Sequence, residues 1–168
     1  IDAMRLLVDR QVASLLDSYI VAEALEMTRR EAVEYANLSR SLERMADHAN
    51  QITLLILNTD TIPKLSSDNP PLAMIPIWQQ ALRSLMINLR EHDALAIDEA
   101  RRALKQAQQS LEKHEEGMWG GKARATSLLF DFRLSESMRR LCAYARDFGE
   151  TLLNIMAHSN LFDEQFDE

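Results

Sequence analysis

The sequence predicts an all-α fold, built of tandem three-helix-bundle repeats of long antiparallel helices, with the first helix of repeat one missing. Three observations predict it. Apolar residues recur at spacings of three and four almost throughout, which is the period of one face of a helix. Turn-forming residues are concentrated in a few short segments, and no segment alternates polar and apolar residues as a half-buried strand does. The chain also matches itself at an offset of 96 residues, as tandem repeats do.

The first 58 residues are predicted to form two helices. The first helix runs from about Ile1 to Leu16, and Asp17 and Ser18 mark a bend. A very long helix then follows over residues 19–57. Its apolar seam repeats every three to four residues, which is typical of a helix packed in a bundle. The seam consists of Leu38, Leu42, Met45, Ala49, Ile52 and Ile56.

A linker separates these helices from the next ones. Residues 59–71 (TDTIPKLSSDNPP) hold three of the four prolines of the chain, and proline interrupts helices. A helix is expected from about Leu72 to Arg90. Pro76 is tolerable there because it lies in the first turns, where the missing N–H is not needed.

Two more helices follow. Asp93 is the predicted N-cap of a helix that reaches about Glu116, because aspartate accepts hydrogen bonds from the free N–H groups of the first turn. Glycines form the next break, at positions 117, 120 and 121. The last helix is expected over residues 123–158, and residues 160–168 form an acidic tail.

The match of the chain to itself at an offset of 96 residues divides it into two repeats. Twelve of the first 59 residues are identical to the residue 96 positions later, from positions 1 and 2 to positions 57 and 58. We assign residues 1–58 to a first repeat and residues 72–159 to a second. In the second repeat, a predicted helix precedes the region that matches the first repeat. In the first repeat, residue 1 already lies within the matched region, so no corresponding helix precedes it. The simplest interpretation is that the chain is part of a longer protein and carries two of the three helices of its first repeat.

Two acidic residues of the long helix are candidate metal ligands. Glu43 and Asp47 are four residues apart and therefore share a helix face, opposite the apolar seam. Their like charges repel, and either a bound cation or the nearby Arg40 and Arg44 would offset the repulsion. Oxygen ligands suit hard divalent cations, and the adjacent imidazole of His48 extends the choice to iron and manganese. The spacing alone leaves both interpretations open.

The segment around these acids resembles the signature helix of the PhoU family, the regulators of phosphate uptake. Residues 39–52 read SRSLERMADHANQI, similar to the LER(I/M)xD(H/Y) motif on the third helix of each three-helix repeat in that family. A degenerate copy, SMRRLCAYA, occupies residues 137–145. The Ile-Asp pairs at positions 1–2 and 97–98 resemble the second-helix motif of the family. The resemblance covers the chain except the linker and the acidic tail.

The resemblance implies an acidic patch that holds a divalent metal (iron, zinc, manganese or magnesium) or a multinuclear cluster. The matching residues of the first repeat are Asp2, Glu43 and Asp47, with His48 as the histidine candidate beside them. The second repeat retains Asp98, but Ala94, Arg139 and Ala143 stand where the pattern has acids. An arginine supplies the neutralising charge itself, so we expect at most one metal site.

The resemblance also implies a regulatory adaptor and not an enzyme. Such an adaptor restrains a phosphate transporter and signals, by protein contact, to a sensor kinase or to the transcription machinery. Some relatives carry these repeats behind an N-terminal DNA-binding domain, so DNA binding would belong to a part that precedes residue 1. One alternative is a helical metalloprotein or iron-binding bundle, which is typically built from acids and Glu-x-x-His pairs that project inward. Another is a purely structural oligomerisation module.

Composition favours a soluble cytoplasmic protein. The formal net charge of −7 disfavours nucleic-acid binding by this segment, because phosphate contacts need clustered positive charge. The longest apolar run, residues 52–57, is far shorter than the roughly 20 residues of a membrane span, and there is no secretion leader. A single cysteine suits a reducing compartment. We expect a homo-oligomer, such as a dimer, formed through the surface that the missing helix would cover.

Overall fold

The computed structural model describes the backbone of residues 2–118 and 125–166, and the side chains of these residues up to position 157. Within these ranges the backbone forms six helices and no strand, which confirms the all-α fold class. The helices are α1 (Asp2–Asp17), α2 (Tyr19–Ala24), α3 (Arg29–Leu57), α4 (Met74–Glu91), α5 (Ala94–Met118) and α6 (Ala125–Phe166). We call α1 to α3 the first unit and α4 to α6 the second unit.

The single helix predicted over residues 19–57 is wrong, because the chain forms two helices there. α2 ends at Ala24, and Glu26 has a φ of 48°, in the left-handed region that commonly follows a helix. α3 then begins with a capping box: Thr28 Oγ1 accepts from Glu31 N at 3.1 Å, and Glu31 Oε2 accepts from Thr28 N at 2.8 Å. The Thr-x-x-Glu pattern is visible in the sequence and predicts a helix start.

The turn between α4 and α5 is held by two polar side chains. Asn88 is buried and donates from Nδ2 to the Ser84 carbonyl oxygen at 3.0 Å, while its Oδ1 accepts from Asp93 N at 2.8 Å. Asp93 Oδ1 accepts from Leu95 N at 2.9 Å, which confirms Asp93 as the N-cap of α5. His92 takes a left-handed conformation at the end of α4. Only His92 and Asp93 separate the two helices, which pack against each other as neighbours.

The core lies along α6, which packs against α3, α4 and α5, while α1 packs against α3 and α2. The main cluster includes side chains with no exposed surface from all three helices of the second unit; these are Leu85, Ile97, Leu104, Leu111 and Phe148. α3 contributes Leu38 and Met45 to it, and Leu42 and Ile52 pack at its edge. The first unit has a separate small cluster of Leu15, Ala22 and Ala32.

The predicted seam of α3 is only partly correct. Ala49 and Ile56 are exposed, and Leu55 packs against the core instead of Ile56. The reason is that α3 contacts both α1 and α6, so its buried surface is divided between two directions and does not follow one stripe.

The predicted linker and helix ends need small corrections. Residues 59–73 contain no helix, but Leu65 packs against the core and Pro71 is buried, so this segment lies on the bundle. Gly117 belongs to α5, and the predicted break at positions 120 and 121 lies outside the described residues. The backbone of α6 stays helical to Phe166, so the predicted helix end near residue 158 is wrong. Among the described residues, no helix combines the length and the apolar character needed to cross a membrane.

Candidate functional site

Glu43, the first predicted metal ligand, pairs with an arginine. Arg5 of α1 reaches across to α3, with its Nε 3.4 Å from Glu43 Oε1. The same guanidinium donates from Nη1 to Asp9 Oδ2 at 2.6 Å. All three side chains are about a quarter exposed. The predicted face of α3 is therefore covered by α1, and the arginine that neutralises Glu43 is Arg5, not Arg40 or Arg44.

The other two predicted carboxylate ligands, Asp47 and Asp2, are exposed. Asp47 is exposed one helical turn after Glu43, and Asp2 is exposed at the start of α1, three residues before Arg5. Among the described residues, no three histidine, cysteine, aspartate or glutamate side chains converge into a group that could hold a metal ion. A cation at Glu43 would have to compete with the guanidinium of Arg5, so the residues present do not fit a divalent metal well.

The corresponding positions of the second unit form ion pairs. Arg139 of α6 stands where Glu43 stands in the first repeat, and its Nε lies 3.1 Å from Glu115 Oε2 of α5. Ser135 Oγ, on a fully buried residue, donates to Glu115 Oε1 at 3.0 Å. Asp98 pairs with Arg102 on its own helix. These acids already have cationic partners, but Arg139 pairs with Glu115 and not with Asp98, the acid beside which the sequence pattern placed it.

His48 lies at the contact between α3 and α6. Its ring stacks on Tyr144, with centroids 5.7 Å apart and planes inclined by 28°. The Arg44 guanidinium lies 5.4 Å from the centroid of the same Tyr144 ring, a cation–π geometry. His48 Nδ1 is buried and has no hydrogen-bond partner among the described residues. The predicted histidine ligand therefore contributes its ring to a helix–helix contact.

The environment of His48 favours its neutral form. Burial, and then the positive charge of Arg140, lower the pKa of His48, while the carboxylates of Glu136 and Asp47 act in the opposite direction. Burial dominates because the ring lies between two helices, where the imidazolium would lose hydration. A neutral imidazole can bind a metal, but the ring face is already covered by Tyr144.

Cys142 is the other side chain whose titration changes clearly. It is fully buried, and burial raises the pKa of its thiol to about 12. The thiolate is the form that binds metals and acts as a nucleophile. At neutral pH Cys142 therefore packs in the core as a small apolar residue.

Two clefts lie between α3 and α6, one on each side of the His48–Tyr144 contact. The first, of about 450 Å³, is lined among others by Asn37, Arg40, Ser41, Asp147, Glu150, Thr151 and Asn154. The second, of about 420 Å³, is lined among others by Arg133, Glu136, Ser137, Gln51, Leu54, Leu55 and Asn58. Each residue of the first list is 96 positions from its counterpart in the second list. The two clefts therefore correspond at these seven positions, whereas Glu34 and Arg44 of the first cleft and Thr59 of the second have no counterpart in the other lining.

The same offset relates the two stacked rings, because Tyr144 is 96 positions after His48. If each residue of α3 is exchanged with its counterpart on α6, 96 positions later, the first cleft becomes the second, and the His48–Tyr144 pair maps onto itself. An approximate two-fold axis through the His48–Tyr144 contact relates the two helices in this way. Sequence reasoning missed this contact, although His48 and Tyr144 occupy the same position of the two motif copies.

The clefts differ in chemistry. The first is lined by five charged residues, Glu34, Arg40, Arg44, Asp147 and Glu150, whereas the second combines the charged Arg133 and Glu136 with the apolar Leu54 and Leu55. Comparisons of the chain with protein-family models, with curated proteins and with solved structures find no match. The candidate site is therefore described by its own geometry: an antiparallel pair of helices with a stacked ring pair at its centre and two unlike clefts on either side.

Proposed function

We propose that this chain is a PhoU-like regulatory adaptor that acts in the cytoplasm on the phosphate-uptake system through protein contacts. The correspondence of the two α3–α6 clefts at seven lining positions carries the proposal. It supports a tandem repeat related by an approximate two-fold axis, with the two motif copies meeting at His48 and Tyr144. The resemblance of residues 39–52 to the PhoU signature then supplies the partners: a phosphate transporter and a sensor kinase, or the transcription machinery.

Exposed apolar side chains support a role in protein contacts. Eight large apolar residues of the first unit are between 47% and 77% exposed; these are Met4, Leu6, Leu7, Tyr19, Ile20, Leu25, Leu54 and Leu57. Clusters of exposed apolar residues commonly mark surfaces that bind other proteins. An adaptor that restrains a transporter needs such a surface.

Phosphate uptake by cells that lack the gene tests the proposal. We expect such cells to take up phosphate faster and to express phosphate-starvation genes when phosphate is abundant, and we expect the intact gene to reverse both effects. Asp47→Lys, on the exposed part of the signature helix, should reverse them less well than Glu112→Lys, a matched charge reversal on the exposed side of α5. Unchanged uptake and gene expression in the deleted cells would refute the proposal.

The metal patch is a separate part of the proposal, and the guanidinium of Arg5 competes with a cation for Glu43. Glu43 and Asp47 would bind iron, zinc, manganese or magnesium only if the cation displaces the Arg5 guanidinium from Glu43. Metal analysis of the purified chain tests this, with Glu43→Ala/Asp47→Ala as the variant that removes the patch. Arg5→Ala is the informative companion, because removal of the competing charge should increase metal content. Equal metal in all three proteins would exclude the patch.

A further inference from the structure

The first cleft between α3 and α6 has one wall that carries unpaired positive charge. Arg40 and Arg44 lie one helical turn apart on α3, and both line the cleft. Among the described residues neither guanidinium forms an ion pair, although that of Arg44 lies over the Tyr144 ring. Two arginines at this spacing repel each other. A bound oxyanion would offset the repulsion, because guanidinium groups donate paired hydrogen bonds to carboxylate and phosphate oxygens.

The opposite wall, on α6, presents hydrogen-bond acceptors. Asp147 lines the cleft, and its carboxylate forms no ion pair within the part of the chain that the structure describes. Thr151 also lines the cleft and is only 9% exposed, and its hydroxyl donates to the Asp147 carbonyl oxygen at 3.0 Å. Since this hydrogen is already used, the Thr151 hydroxyl oxygen is left to accept from a ligand. The α6 wall therefore suits a cationic N–H group.

The other two acids of the first cleft already have partners. Glu150 Oε2 lies 3.2 Å from Arg101 Nη2 of α5, and Glu34 Oε2 accepts from Asn37 Nδ2 at 3.2 Å. Two cationic groups on α3 and one carboxylate on α6 then remain for a ligand. A simple anion would be repelled by Asp147, and a simple cation would be repelled by the two arginines. A ligand that carries both charges matches both walls.

The second cleft has the counterpart positions but different chemistry. The position of the first arginine is occupied by Glu136, which pairs with Arg140 on its own helix at 3.3 Å between Oε1 and Nη2. The positions of the two α6 acceptors are occupied by Gln51 and Leu55 of α3. The second cleft thus neutralises its arginine internally and lacks the carboxylate, so it serves as a built-in comparison.

We propose that the first cleft binds a small zwitterion, with an oxyanion group against Arg40 and Arg44 and an ammonium group against Asp147. Packed helices lie about 8–10 Å apart from axis to axis, so one small molecule can contact both walls. The cleft volume of about 450 Å³ lies within the range of ligand sites. The oxyanion is a carboxylate or a phosphate monoester, which guanidinium groups bind in the same way. The inference uses the geometry of the clefts and does not depend on a role in phosphate uptake.

Titration of the full isotope-labelled chain with small probes, followed by NMR of its backbone amides, tests the site. O-Phosphoethanolamine and β-alanine carry the same aminoethyl group on different oxyanions, so the tighter binder identifies the oxyanion. Inorganic phosphate is the probe that lacks the ammonium group. We expect saturable shifts of amide signals of α3 and α6 with at least one zwitterion, and weaker binding of inorganic phosphate.

Two variants give the first cleft the residues of the second at exposed positions. Arg40→Glu should weaken the binding of every probe about tenfold or more, because it replaces a charged donor with a repelling charge. Asp147→Gln should have opposite effects on two probes. It should weaken the zwitterion, whose ammonium group loses a carboxylate, and strengthen inorganic phosphate, which no longer meets a negative charge. Arg133→Glu, an equal charge reversal at an exposed position of the second cleft, is the matched control and should leave binding unchanged.

Three results would overturn the proposal. The first is the absence of saturable binding of both zwitterions to the parent chain. The second is equal weakening by Arg40→Glu and Arg133→Glu, because net charge and not the first cleft would then hold the ligand. The third is zwitterion binding that Asp147→Gln does not weaken, because the ammonium group would then have no contact there. Amide signals outside α3 and α6 report that each variant keeps its fold. Phosphate uptake plays no part in this test, so it and the test of the proposed function can fail separately.

Discussion

The second unit of the molecule buries its apolar residues, whereas the first unit leaves many of them exposed. α4, α5 and α6 share one large cluster with α3, while the first unit adds only Leu15, Ala22 and Ala32 in a cluster of its own. The two units have similar helical patterns, so composition does not explain the difference. The position of α4 does, because α4 closes the face between α5 and α6, and no described residue closes the same face between α1 and α3.

Truncation of a buried leucine in each unit should give the largest difference between them. Leu104 of α5 has no exposed surface and is surrounded by the main cluster, so Leu104→Ala should lower the free energy of unfolding by about 3–5 kcal/mol. Leu15 of α1 is equally buried but belongs to the small cluster. Leu15→Ala should cost about 2 kcal/mol, because neighbours at an open edge can move into the space.

Urea denaturation followed by far-UV circular dichroism measures both changes. Equal losses for the two variants would contradict the comparison, because the small cluster would then support its leucine as firmly as the main core does. Leu6→Ala, at a 48% exposed position of α1, is the control for loss of an apolar side chain without burial, and it should change stability by less than about 0.5 kcal/mol.

Helical periodicity predicted most of the fold because it depends on local spacing. The apolar residues of α4, α5 and α6 lie around a common core. Their spacing placed α4 and α5 to within two residues at each end, whereas α6 extends eight residues beyond its predicted end. Helix ends were predicted well where the capping side chain is local, as at Asp93. The break before α3 was missed although the Thr28–Glu31 capping box is also local, since the apolar pattern continues across it.

The candidate site was less predictable because its contacts join distant parts of the chain. The spacing of Glu43 and Asp47 could not reveal that Arg5 of another helix pairs with Glu43. Likewise, the sequence around His48 does not show that Tyr144 covers its ring. The offset of 96 contained part of this information, because it makes the two rings counterparts, but only the antiparallel packing of α3 against α6 brings them into contact.

The second comparison is between Gly149 of α6, which packs closely against α4, and its counterpart Thr53 of α3, which is exposed. A side chain at Gly149 would meet Arg101 Cγ at 2.8 Å and Leu85 Cδ2 at 3.0 Å, so Gly149→Val should lower the free energy of unfolding by about 2 kcal/mol through overpacking. The counterpart change Thr53→Val on exposed α3 should alter stability by less than about 0.5 kcal/mol. Thermal unfolding of the two variants measures the difference. A Gly149→Val protein as stable as the parent would show that α4 does not lie this close to α6.

Acid should weaken the contact where the two units meet, with the smallest effect of the three. The folded protein holds the pKa of His48 below its ordinary value of 6.5, because burial and Arg140 disfavour the imidazolium. The unfolded chain therefore takes up this proton more readily than the folded protein does. The stabilising effect is present above the unfolded pKa and is lost as the pH falls from about 7 through 6.5 toward the lowered folded value.

Urea midpoints at pH 7.5 and pH 5.5 would measure this loss, and we expect the lower midpoint at pH 5.5. The pH dependence should be smaller in His48→Gln, because that side chain has no proton to gain. His92→Asn is the matched control, because it also removes one histidine but leaves the His48–Tyr144 contact in place; His92 is exposed and has a left-handed conformation that asparagine tolerates. Glu136 and Asp47 act against the shift, so their charges limit its size. If His48→Gln and the parent lose the same stability, acid acts elsewhere in the protein, and the contact between the units does not sense pH.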